Sequence, residues 1–536
     1  MRFNLFFVLG IAMLFVACAQ TVSSPSDDEE TSAVSSSSKK GKSSSSKKNV
    51  TTSSSSANKQ TKSSSSEKVD SGKSSSSSVD DLDDDCVSEA GEPWDGTTAK
   101  AFACGAGTKL SPYLILTAEQ LAHLSFVVNA GDKDYSGKYF KLGADIKLNK
   151  GDVIDEKGAL VGDSTKLHKW TPIGNSSVTF DGNFDGAGHT ISGMFINTTS
   201  THNGLFGNSS GTVQNLLVDN SWVQGGSATA GIIGNLKGNG SLRKTVNRAS
   251  VIGTGTVTGG VIGSYESAYN MNGVVENVEN QGVVTGTKNV GGVIGTGISI
   301  KISDARNYAE VVGSTIVGGI AASLGSNSEL KNGSNFARIT GKEYTAGIIG
   351  SFGNSYCPSS NNYGILQNAL NRGEVTGTNY TAGVVGQALC VTITESANAD
   401  SIIGNKYSAG IIGYAKRSKV KSIYNKGAVF GSINVGGIIG YNEECVTSSA
   451  YSTGKVDGDS LVGLMIGYNY NTTMADYYYL EQGDQEPFGL NNGGGVATPK
   501  SADEMKSEDF AELLGEAFTY DSGLNGGFPV LVWENE

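Results

Sequence analysis

The side chains of this sequence that could carry out chemistry do not fall into a catalytic spacing. Histidine is a common general base and zinc ligand, and the sequence has four: His123, His168, His189 and His202. No His-Glu-x-x-His or Cys-x-x-Cys motif occurs, and no Gly-x-Ser-x-Gly elbow has plausible triad partners. We therefore expect a protein without catalytic residues, bound metal or cofactor.

Two aspartates lie close together in Asp181-Gly-Asn-Phe-Asp185-Gly. A carboxylate pair can act as acid and base or hold a metal. The alternative is turn chemistry, because an Asp side chain caps the tight turns that Asp-Gly sequences form. We favour the turn.

Cys18 has a different chemistry. Arg2 precedes an apolar run at residues 5–16, which is typical of a secretory signal. The run ends in Phe15-Val16-Ala17-Cys18, which resembles the lipobox of bacterial lipoproteins. The resemblance implies that Cys18 is acylated and that the protein is anchored by lipid in the outer membrane, facing outwards. The alternative is an ordinary cleaved signal followed by an incidental cysteine.

Tyrosines are concentrated towards the C-terminus, where they could form an exposed stripe that binds sugar or protein, or could pack the last repeats. The sequence leaves both readings open. These residues are Tyr407, Tyr414, Tyr424, Tyr441, Tyr451, Tyr468, Tyr470, Tyr477, Tyr478 and Tyr479.

A polar segment separates the signal from the rest of the chain. Residues 21–80 contain 26 serines, mostly in blocks that alternate with lysine. Such a composition cannot bury enough apolar surface to fold, so residues 19–85 are predicted to be a disordered tether ending in an acidic run. The formal net charge of −12 argues against a nucleic-acid partner.

The remainder of the chain is repetitive. A phrase of Gly, two apolar residues and Gly recurs with starts 26 to 36 residues apart. Its copies lie at 204–207, 231–234, 260–263, 292–295, 347–350, 383–386, 410–413 and 437–440, with degenerate copies starting at 319 and 463. The spacing within a repeat is too short for a strand–helix–strand crossover, so each repeat is predicted to be one coil of a parallel β-helix, made of two or three short strands.

A second phrase lies between these copies and reads Asn, three residues, Val or Ile, one residue, Gly. Stacked asparagines can form a ladder of side-chain hydrogen bonds inside a turn. The ladder is predicted to contain Asn247, Asn280, Asn307, Asn335, Asn371, Asn398 and Asn425. The recurring glycines are expected to allow positive φ at the corners of the coils.

An exported location permits disulfides, and five cysteines remain after Cys18. Cys357 and Cys390 occupy similar loop positions in adjacent coils, which predicts a bond between them. A bond between Cys86 and Cys104 would staple the tether to the N-terminal cap. Cys445 is left unpaired.

These patterns predict an all-β protein, a parallel β-helix of about ten coils with short helical caps at both ends. Capping boxes at Thr117-Ala-Glu-Gln120 and Ser501-Ala-Asp-Glu504 mark the caps, and residues 528–533 are read as a closing strand. The domains are 1–18, signal; 19–85, tether; 86–203, N-terminal cap and first coils; 204–480, repeat β-helix; and 481–536, C-terminal cap.

The chain resembles bacterial surface proteins with GLUG-motif repeats over roughly residues 94–533. The resemblance lies in Gly204-Leu-Phe-Gly207 and in the segments at 94–96, 107–113, 117–122, 137–142, 145–148, 170–174, 180–191 and 525–533. It implies a β-helical, adhesin-like protein of the cell surface and no catalytic residues.

The expected function is therefore non-catalytic binding or adhesion to a polysaccharide or a surface protein. The lyases and hydrolases built on β-helices need carboxylates on adjacent coils, and matching repeat positions hold no such column. Loops after the glycine phrase, at 264–272, 352–363 and 441–449, are expected to form the binding face. The alternatives are a carbohydrate-active enzyme of the β-helix type and a purely structural envelope protein.

Overall fold

The strands of this protein are short and alternate buried with exposed residues, and they pair with strands one repeat away. The structure is a computed structural model that describes residues 91–267, 273–357 and 363–535. Cys18, the tether and Cys86 lie outside these residues. Each full coil runs through four parallel sheets in turn, which we number 1 to 4 in the order the chain visits them.

Sheet 1 has sixteen strands and contains the longest strand of each coil. Its strands are Tyr113–Ile115, Tyr139–Leu142, Ile146–Lys147, Asn183–Asp185, Thr190–Ser192, Thr212–Asp219, Ser241–Asn247, Gly273–Asn280, Ile300–Asn307, Glu329–Asn335, Gly364–Asn371, Val391–Asn398, Lys419–Asn425, Val446–Ser452, Thr473–Leu480 and Ala497–Lys500. Sheet 2 has ten strands: Phe195–Asn197, Trp222–Gly225, Ser250–Gly253, Val284–Thr285, Val311–Val312, Ile339–Thr340, Val375–Thr376, Ile402–Ile403, Val429–Phe430 and Val456–Asp457.

Sheets 3 and 4 close the coil. Sheet 3 has eight strands: Val257–Gly259, Asn289–Gly291, Ile316–Gly318, Glu343–Ala346, Asn379–Ala382, Lys406–Ala409, Ile433–Gly436 and Ser460–Gly463. Sheet 4 has eleven: Phe206–Ser209, Ile233–Lys237, Ile262–Glu266, Ile294–Gly297, Ala321–Leu324, Ile349–Gly353, Val385–Leu389, Ile412–Lys416, Ile439–Glu443, Ile466–Tyr470 and Phe488–Asn492.

The predicted all-β, parallel β-helical class is confirmed. The estimate of about ten coils was low, because fourteen strands follow one another along the main path of sheet 1. The additional turns lie at the two ends, before Gly204 and after Tyr479, where the chain lacks the glycine phrase that was counted. Each full coil has four strands rather than two or three, since the glycine phrase ends one strand and begins another.

Aliphatic side chains fill the inside of the coils in columns. In sheet 1, Leu242, Val275, Ile302, Leu330 and Leu366 stack in register and are all buried. Burying one such side chain stabilises the fold by about 1.5–3 kcal/mol. Because the strand period is two, this column fixes the register of every strand it passes through.

Helix α1 (Ala118–Asn129) lies at the N-terminal end of the stack. The Thr117 hydroxyl accepts a hydrogen bond from the Gln120 N–H, and the Gln120 side chain accepts from the Leu116 and Thr117 N–H groups, which is the predicted capping box. Its buried residues Leu121 and Leu124 belong to the same core as the first coils. The helix therefore covers the apolar end of the solenoid.

The prediction that the recurring glycines adopt positive φ was wrong. None of the glycines of the two phrases has a positive φ. They are glycine because of close approach instead: a Cβ on Gly347 would lie 2.2 Å from Asn371 Oδ1 and 2.3 Å from Gly383 O. In sheet 1 a bulged column takes the positive φ: Asn215, Lys244, Asn277, Asp304, Asn332, Asn368, Glu395, Ser422, Ser449 and Asp476.

The C-terminal segment does not close the end of the stack as expected. The Ser501 capping box begins a short helix, α2 (Ala502–Met505), and a second helix, α3 (Glu508–Leu514), follows it, because Ser507 caps α3 by accepting from the Phe510 N–H. The expected closing strand is Val530–Leu531, which pairs antiparallel with Phe518–Thr519 in a separate two-stranded sheet.

Residues 501–535, which we call the brace, lie along the outer side of sheet 1. Their apolar side chains pack on one outward column of five successive strands, formed by Leu370, Ala397, Tyr424, Tyr451 and Tyr478. The Trp533 indole donates to Glu395 O at 3.1 Å. The brace is positioned there because that column is apolar in these coils and polar in the three coils just before them, where Glu279, Arg306 and Ser334 occupy it.

Candidate functional site

Three tyrosines stand at the same position of consecutive sheet 3 strands. Tyr344, Tyr380 and Tyr407 are each the second residue of their strand, and the residues on both sides of them pair with the neighbouring strands. Their φ angles are 43°, 53° and 60°. A left-handed conformation is costly for a bulky residue, on the order of 1–3 kcal/mol, so the repeat maintains it against a local preference.

Three more tyrosines form a column in sheet 4. Tyr414, Tyr441 and Tyr468 are in register on adjacent strands, and Tyr470 follows two residues after the last of them. Sheet 3 runs directly into sheet 4 within each coil, so the two columns lie side by side.

The two columns make one continuous surface. Ring centroids are 4.7 Å apart for both Tyr344–Tyr380 and Tyr380–Tyr407, and 4.8 Å apart for Tyr441–Tyr468. Tyr414 links the columns, with centroids 6.1 Å from Tyr380 and 5.5 Å from Tyr441. We call this set the tyrosine stripe: Tyr344, Tyr380, Tyr407, Tyr414, Tyr441, Tyr468 and Tyr470. Six of its members are half-buried and Tyr470 is exposed.

Charged side chains fix the middle of the stripe. The Tyr414 hydroxyl donates to Glu443 Oε2 at 2.5 Å, and the Lys416 ammonium donates to Glu443 Oε1 at 2.6 Å. Burial and the hydrogen bond to Glu443 raise the pKa of Tyr414. Burial favours the neutral form of Glu443, but the hydrogen bonds from Lys416 and Tyr414 outweigh it and lower the pKa of Glu443. The phenol is therefore a stable donor beside an ionised carboxylate.

The sheet 3 column continues beyond Tyr407 with other residues. Asn434 and Leu461 occupy the same left-handed position, with φ of 57° and 53°. Asn434 is 95% buried, with 5% of its surface exposed, and its Oδ1 atom has no hydrogen-bond partner. This is a polar group beside the stripe that the protein itself leaves unsatisfied.

The tyrosines singled out from the sequence divide into two groups. Five belong to the stripe, whereas Tyr424, Tyr451 and Tyr478 pack under the brace and Tyr477 and Tyr479 are in the core. Tyr344 and Tyr380 were missed. Each lies three residues after the glycine that ends the second phrase, as Tyr407 does, so aligning the repeats on Gly341, Gly377 and Gly404 would have found them.

The seven asparagines of the second phrase form a ladder. All are fully buried, and the Nδ2 of each of the first six donates to the Oδ1 of the next asparagine at 2.8–2.9 Å, so that six bonds run from Asn247 to Asn425. The same Nδ2 atoms also donate to the carbonyl two residues later, for example Asn335 to Ala337 O at 2.8 Å. The ladder therefore ties each turn to its own coil and to the next one.

Cys357 and Cys390 are joined in a disulfide, with Cα atoms 5.1 Å apart. Cys445 is a free, buried thiol whose pKa burial raises to about 12, so it is not a reactive thiolate. The suggested bond between Cys86 and Cys104 involves a residue outside the described part of the chain and stays a prediction, as does acylation of Cys18.

The prediction that the paired aspartates cap turns holds for Asp185 but not for Asp181, which instead bonds to a distant segment of the chain. Asp185 Oδ1 accepts from the Ala187 N–H at 2.8 Å and from Asn215 Nδ2 at 2.9 Å, and Asp181 accepts from the Ser136 hydroxyl at 2.5 Å. Across residues 91–267, 273–357 and 363–535, no three His, Cys, Asp or Glu side chains are close enough together to hold a metal ion. In the same ranges, no helix has the length and apolar character needed to span a membrane.

The three loops expected to form a continuous face do not lie on successive coils, because the sheet 4 strands that precede them are three strands apart. The segment at 441–449 is almost entirely strand, with only Glu444 and Cys445 between Ile439–Glu443 and Val446–Ser452. Most other coils turn from sheet 4 to sheet 1 in one to four residues, and longer connections occur only after Glu266 and Gly353. The surface that runs along the coils is therefore the tyrosine stripe.

Comparisons with known proteins give partial likenesses. No protein-family model matches the chain. A protein of Evansella cellulosilytica, provisionally named a Gly-rich membrane protein, is 34% identical over 144 residues, which is 26% of this chain and 15% of that protein. Halomucin of Haloquadratum walsbyi is 29% identical over 178 residues, 32% of this chain and 2% of its own length. The chain thus spans a small part of both relatives.

A solved structure from Bacteroides ovatus, provisionally named an immunoglobulin A1 protease, is 16% identical. The match covers 81% of this chain and 95% of that one, with a TM-score of 0.36. A likeness of this degree carries no functional argument. The β-solenoid described above follows from the chain's own strand pairing.

Proposed function

We propose that this protein is a non-catalytic binding or adhesion protein of the cell surface, and that its tyrosine stripe holds an extended polysaccharide. The observation that carries the proposal is the continuity of the stripe over five successive coils, from Tyr344 to Tyr470. At about 4.8 Å per coil, the stripe is roughly 19 Å long, a shape suited to an elongated ligand.

Tyrosine suits such a surface for physical reasons. Its ring offers apolar area with few rotatable bonds, and its hydroxyl offers a hydrogen bond, so contact orders few side chains. A sugar chain offers the matching chemistry of C–H faces and hydroxyls. Two ion pairs lie beside the sheet 4 half of the stripe, Lys416 with Glu443 and Arg417 with Glu444, and the Lys406 ammonium lies 4.8 Å from the Tyr407 ring centroid. We test neutral polysaccharides first, because the charges at Glu443 and Glu444 are already neutralised by their partners.

The carboxylate nearest the stripe supports binding rather than hydrolysis. A glycosidase needs two carboxyl groups, one of which is a general acid with a raised pKa. Glu443 has a lowered pKa and is held by Lys416 and Tyr414. The two alternative functions are a β-helical carbohydrate-active enzyme and a purely structural envelope protein. The experiment below distinguishes both from a binding protein.

That test replaces Tyr380 and Tyr407 by asparagine, the residue that Asn434 already places in the same column and conformation. We expect the double variant to be retained on insoluble neutral polysaccharides at least 10-fold more weakly than the unchanged protein, because contact area and two hydroxyls are lost. Tyr308→Asn is the matched control, since Tyr308 is exposed and outside the stripe.

Equal retention of the double variant and the unchanged protein would rule out the stripe as the binding surface. Release of reducing ends above a heat-inactivated control would establish an enzyme. If this protein bound a surface protein but no polysaccharide, its ligand would be a protein. If it bound neither, only the structural role would remain.

The cell-surface part of the proposal rests on the lipobox resemblance at Cys18, on the tether and on the resemblance to GLUG-repeat surface proteins. One of the two relatives is named as a membrane protein and the other is named halomucin, and both names agree with a cell-surface location. We expect Cys18→Ala to move the protein from the membrane fraction to the soluble exported fraction, because no acyl chains would then be attached. Immunoblotting of the fractions measures this, and unchanged membrane retention would contradict a lipid anchor at Cys18.

A further inference from the structure

A cavity lies between the brace and the corner where sheet 1 passes into sheet 2. It has a volume of about 380 Å³, and its walls include Arg372, Ala399, Tyr424, Lys426, Asn525 and Glu534. We call it the corner pocket. Its size falls in the range of sites for small ligands, about 300–1,000 Å³.

Two cations line one side of the pocket. Arg372, Ala399 and Lys426 each follow a ladder asparagine, so they occupy one corner position on three consecutive coils. At about 4.8 Å per coil, Arg372 and Lys426 start about 10 Å apart, with the small Ala399 between them. The corner therefore has a notch with a positive charge on each side.

Neither cation is paired within the described residues. Neither Arg372 nor Lys426 takes part in any ion pair there. At the same corner position of an earlier coil, Arg248 donates to Gln281 at 2.8 Å and lies 3.8 Å from Asp219. An arginine at this corner can thus form a side-chain hydrogen bond and an ion pair. Among the described residues, Arg372 and Lys426 form neither.

The opposite side of the pocket consists of acceptors. The Tyr424 hydroxyl donates to Glu534 at 2.9 Å and the Leu531 N–H donates at 3.2 Å, which leaves acceptor capacity on both carboxylate oxygens. Asn525 donates through Nδ2 to the Tyr451 hydroxyl at 3.0 Å, but its Oδ1 atom is buried without a partner. Burial raises the pKa of Glu534, and the hydrogen bonds from Leu531 and Tyr424 together with the charges of Arg372 and Lys426 offset this only in part.

We infer that the corner pocket binds a hydroxylated carboxylate, such as a uronic acid residue of an acidic polysaccharide. The ligand carboxylate would bridge Arg372 and Lys426, as guanidinium and ammonium groups suit a carboxylate. The ligand hydroxyls would donate to Asn525 Oδ1 and Glu534. An inorganic anion satisfies only the cations and a neutral sugar satisfies only the acceptors, so both should bind more weakly.

The test uses soluble monosaccharides, which keeps it separate from the tyrosine stripe. The purified protein is titrated with D-glucuronate, D-glucose and acetate by calorimetry, and binding is followed in parallel by tryptophan fluorescence, since Trp533 adjoins Glu534. We expect glucuronate to bind at least 10-fold more tightly than glucose or acetate. Arg372→Gln and Lys426→Gln should each weaken glucuronate binding at least 10-fold, whereas Arg248→Gln should leave it unchanged.

Lys426→Arg keeps the charge and should retain binding, which separates loss of a ligand contact from loosening of the brace. Equal affinity for glucuronate and acetate would overturn the inference, as would glucuronate binding that survives both glutamine substitutions. A failure here leaves the stripe proposal untouched, because neither the probes nor the variants involve its tyrosines.

Discussion

Gly347→Ala should lower the free energy of unfolding by about 3 kcal/mol or more, the upper range for an overpacked site. The added Cβ would lie 2.2 Å from Asn371 Oδ1 and 2.3 Å from Gly383 O, the first in the asparagine ladder and the second in the backbone of the next coil. Neither atom can move alone, because both are repeated in register above and below. Urea denaturation followed by circular dichroism measures the effect.

The control is a buried glycine of the same solenoid. Gly333 pairs in sheet 1 with Ala305 on one side and Ala369 on the other, and the three atoms nearest to its Cβ would all belong to the flexible Leu330 side chain, the first at 3.3 Å. Gly333→Ala should therefore change the free energy of unfolding by less than about 1 kcal/mol. Alanine also lowers the conformational entropy of the unfolded chain relative to glycine, which offsets a small steric cost in the folded state. Similar losses for both variants would contradict the close-approach explanation.

Asn335→Ala should destabilise the protein by about 3–5 kcal/mol. The Asn335 amide donates to Asn371 Oδ1 and accepts from Asn307 Nδ2, each at 2.8 Å, and all three side chains are fully buried. Truncation leaves a buried donor and a buried acceptor without their ladder partners, at about 1–3 kcal/mol each. The Ala337 carbonyl also loses its bond from Nδ2.

Ser334→Ala is the adjacent control, because Ser334 faces outwards and is half-buried. It should change the free energy of unfolding by less than about 0.5 kcal/mol. Denaturation of both variants under one set of conditions decides the matter: a loss below about 1 kcal/mol for Asn335→Ala would mean that the ladder contributes register but little stability.

The sequence was most informative where one residue type recurs at one place in every coil. The asparagines at 247 to 425 could be placed in a ladder because stacking puts identical side chains in contact. Helix α1 could be placed because its capping box is local, from Thr117 to Gln120. Neither inference needed knowledge of how distant parts of the chain meet.

The glycines show where such reasoning stops. Their positions were right, but the reason was not: a corner that needs positive φ and a corner with no room for Cβ both select glycine. The tyrosines at 344 and 380 were missed for a related reason. A bulky aromatic residue in a left-handed conformation goes against local preference, so only the alignment of repeats identifies that column.

The brace could not be placed from sequence because its docking surface is dispersed. Leu370, Ala397, Tyr424, Tyr451 and Tyr478 are each a single residue in a different coil, 27 positions apart in every case, and only stacking makes them one apolar strip. The expectation of an end cap followed the usual need to cover a solenoid's end. Here the brace packs on the apolar strip along the outer side of sheet 1 instead of on the end of the stack.

The brace also changes how the solenoid responds to stress. In an unbraced solenoid each coil touches only its two neighbours, so coils can detach one at a time from a free end. The brace packs against an apolar strip that crosses five coils, so one of these coils can detach from the brace only if the packing against the others is also disrupted. Four of these coils also carry the tyrosine stripe. If the stripe binds a ligand as proposed, load applied through that ligand would be shared by a block of coils that opens together, and the block would yield at a higher force than a single coil.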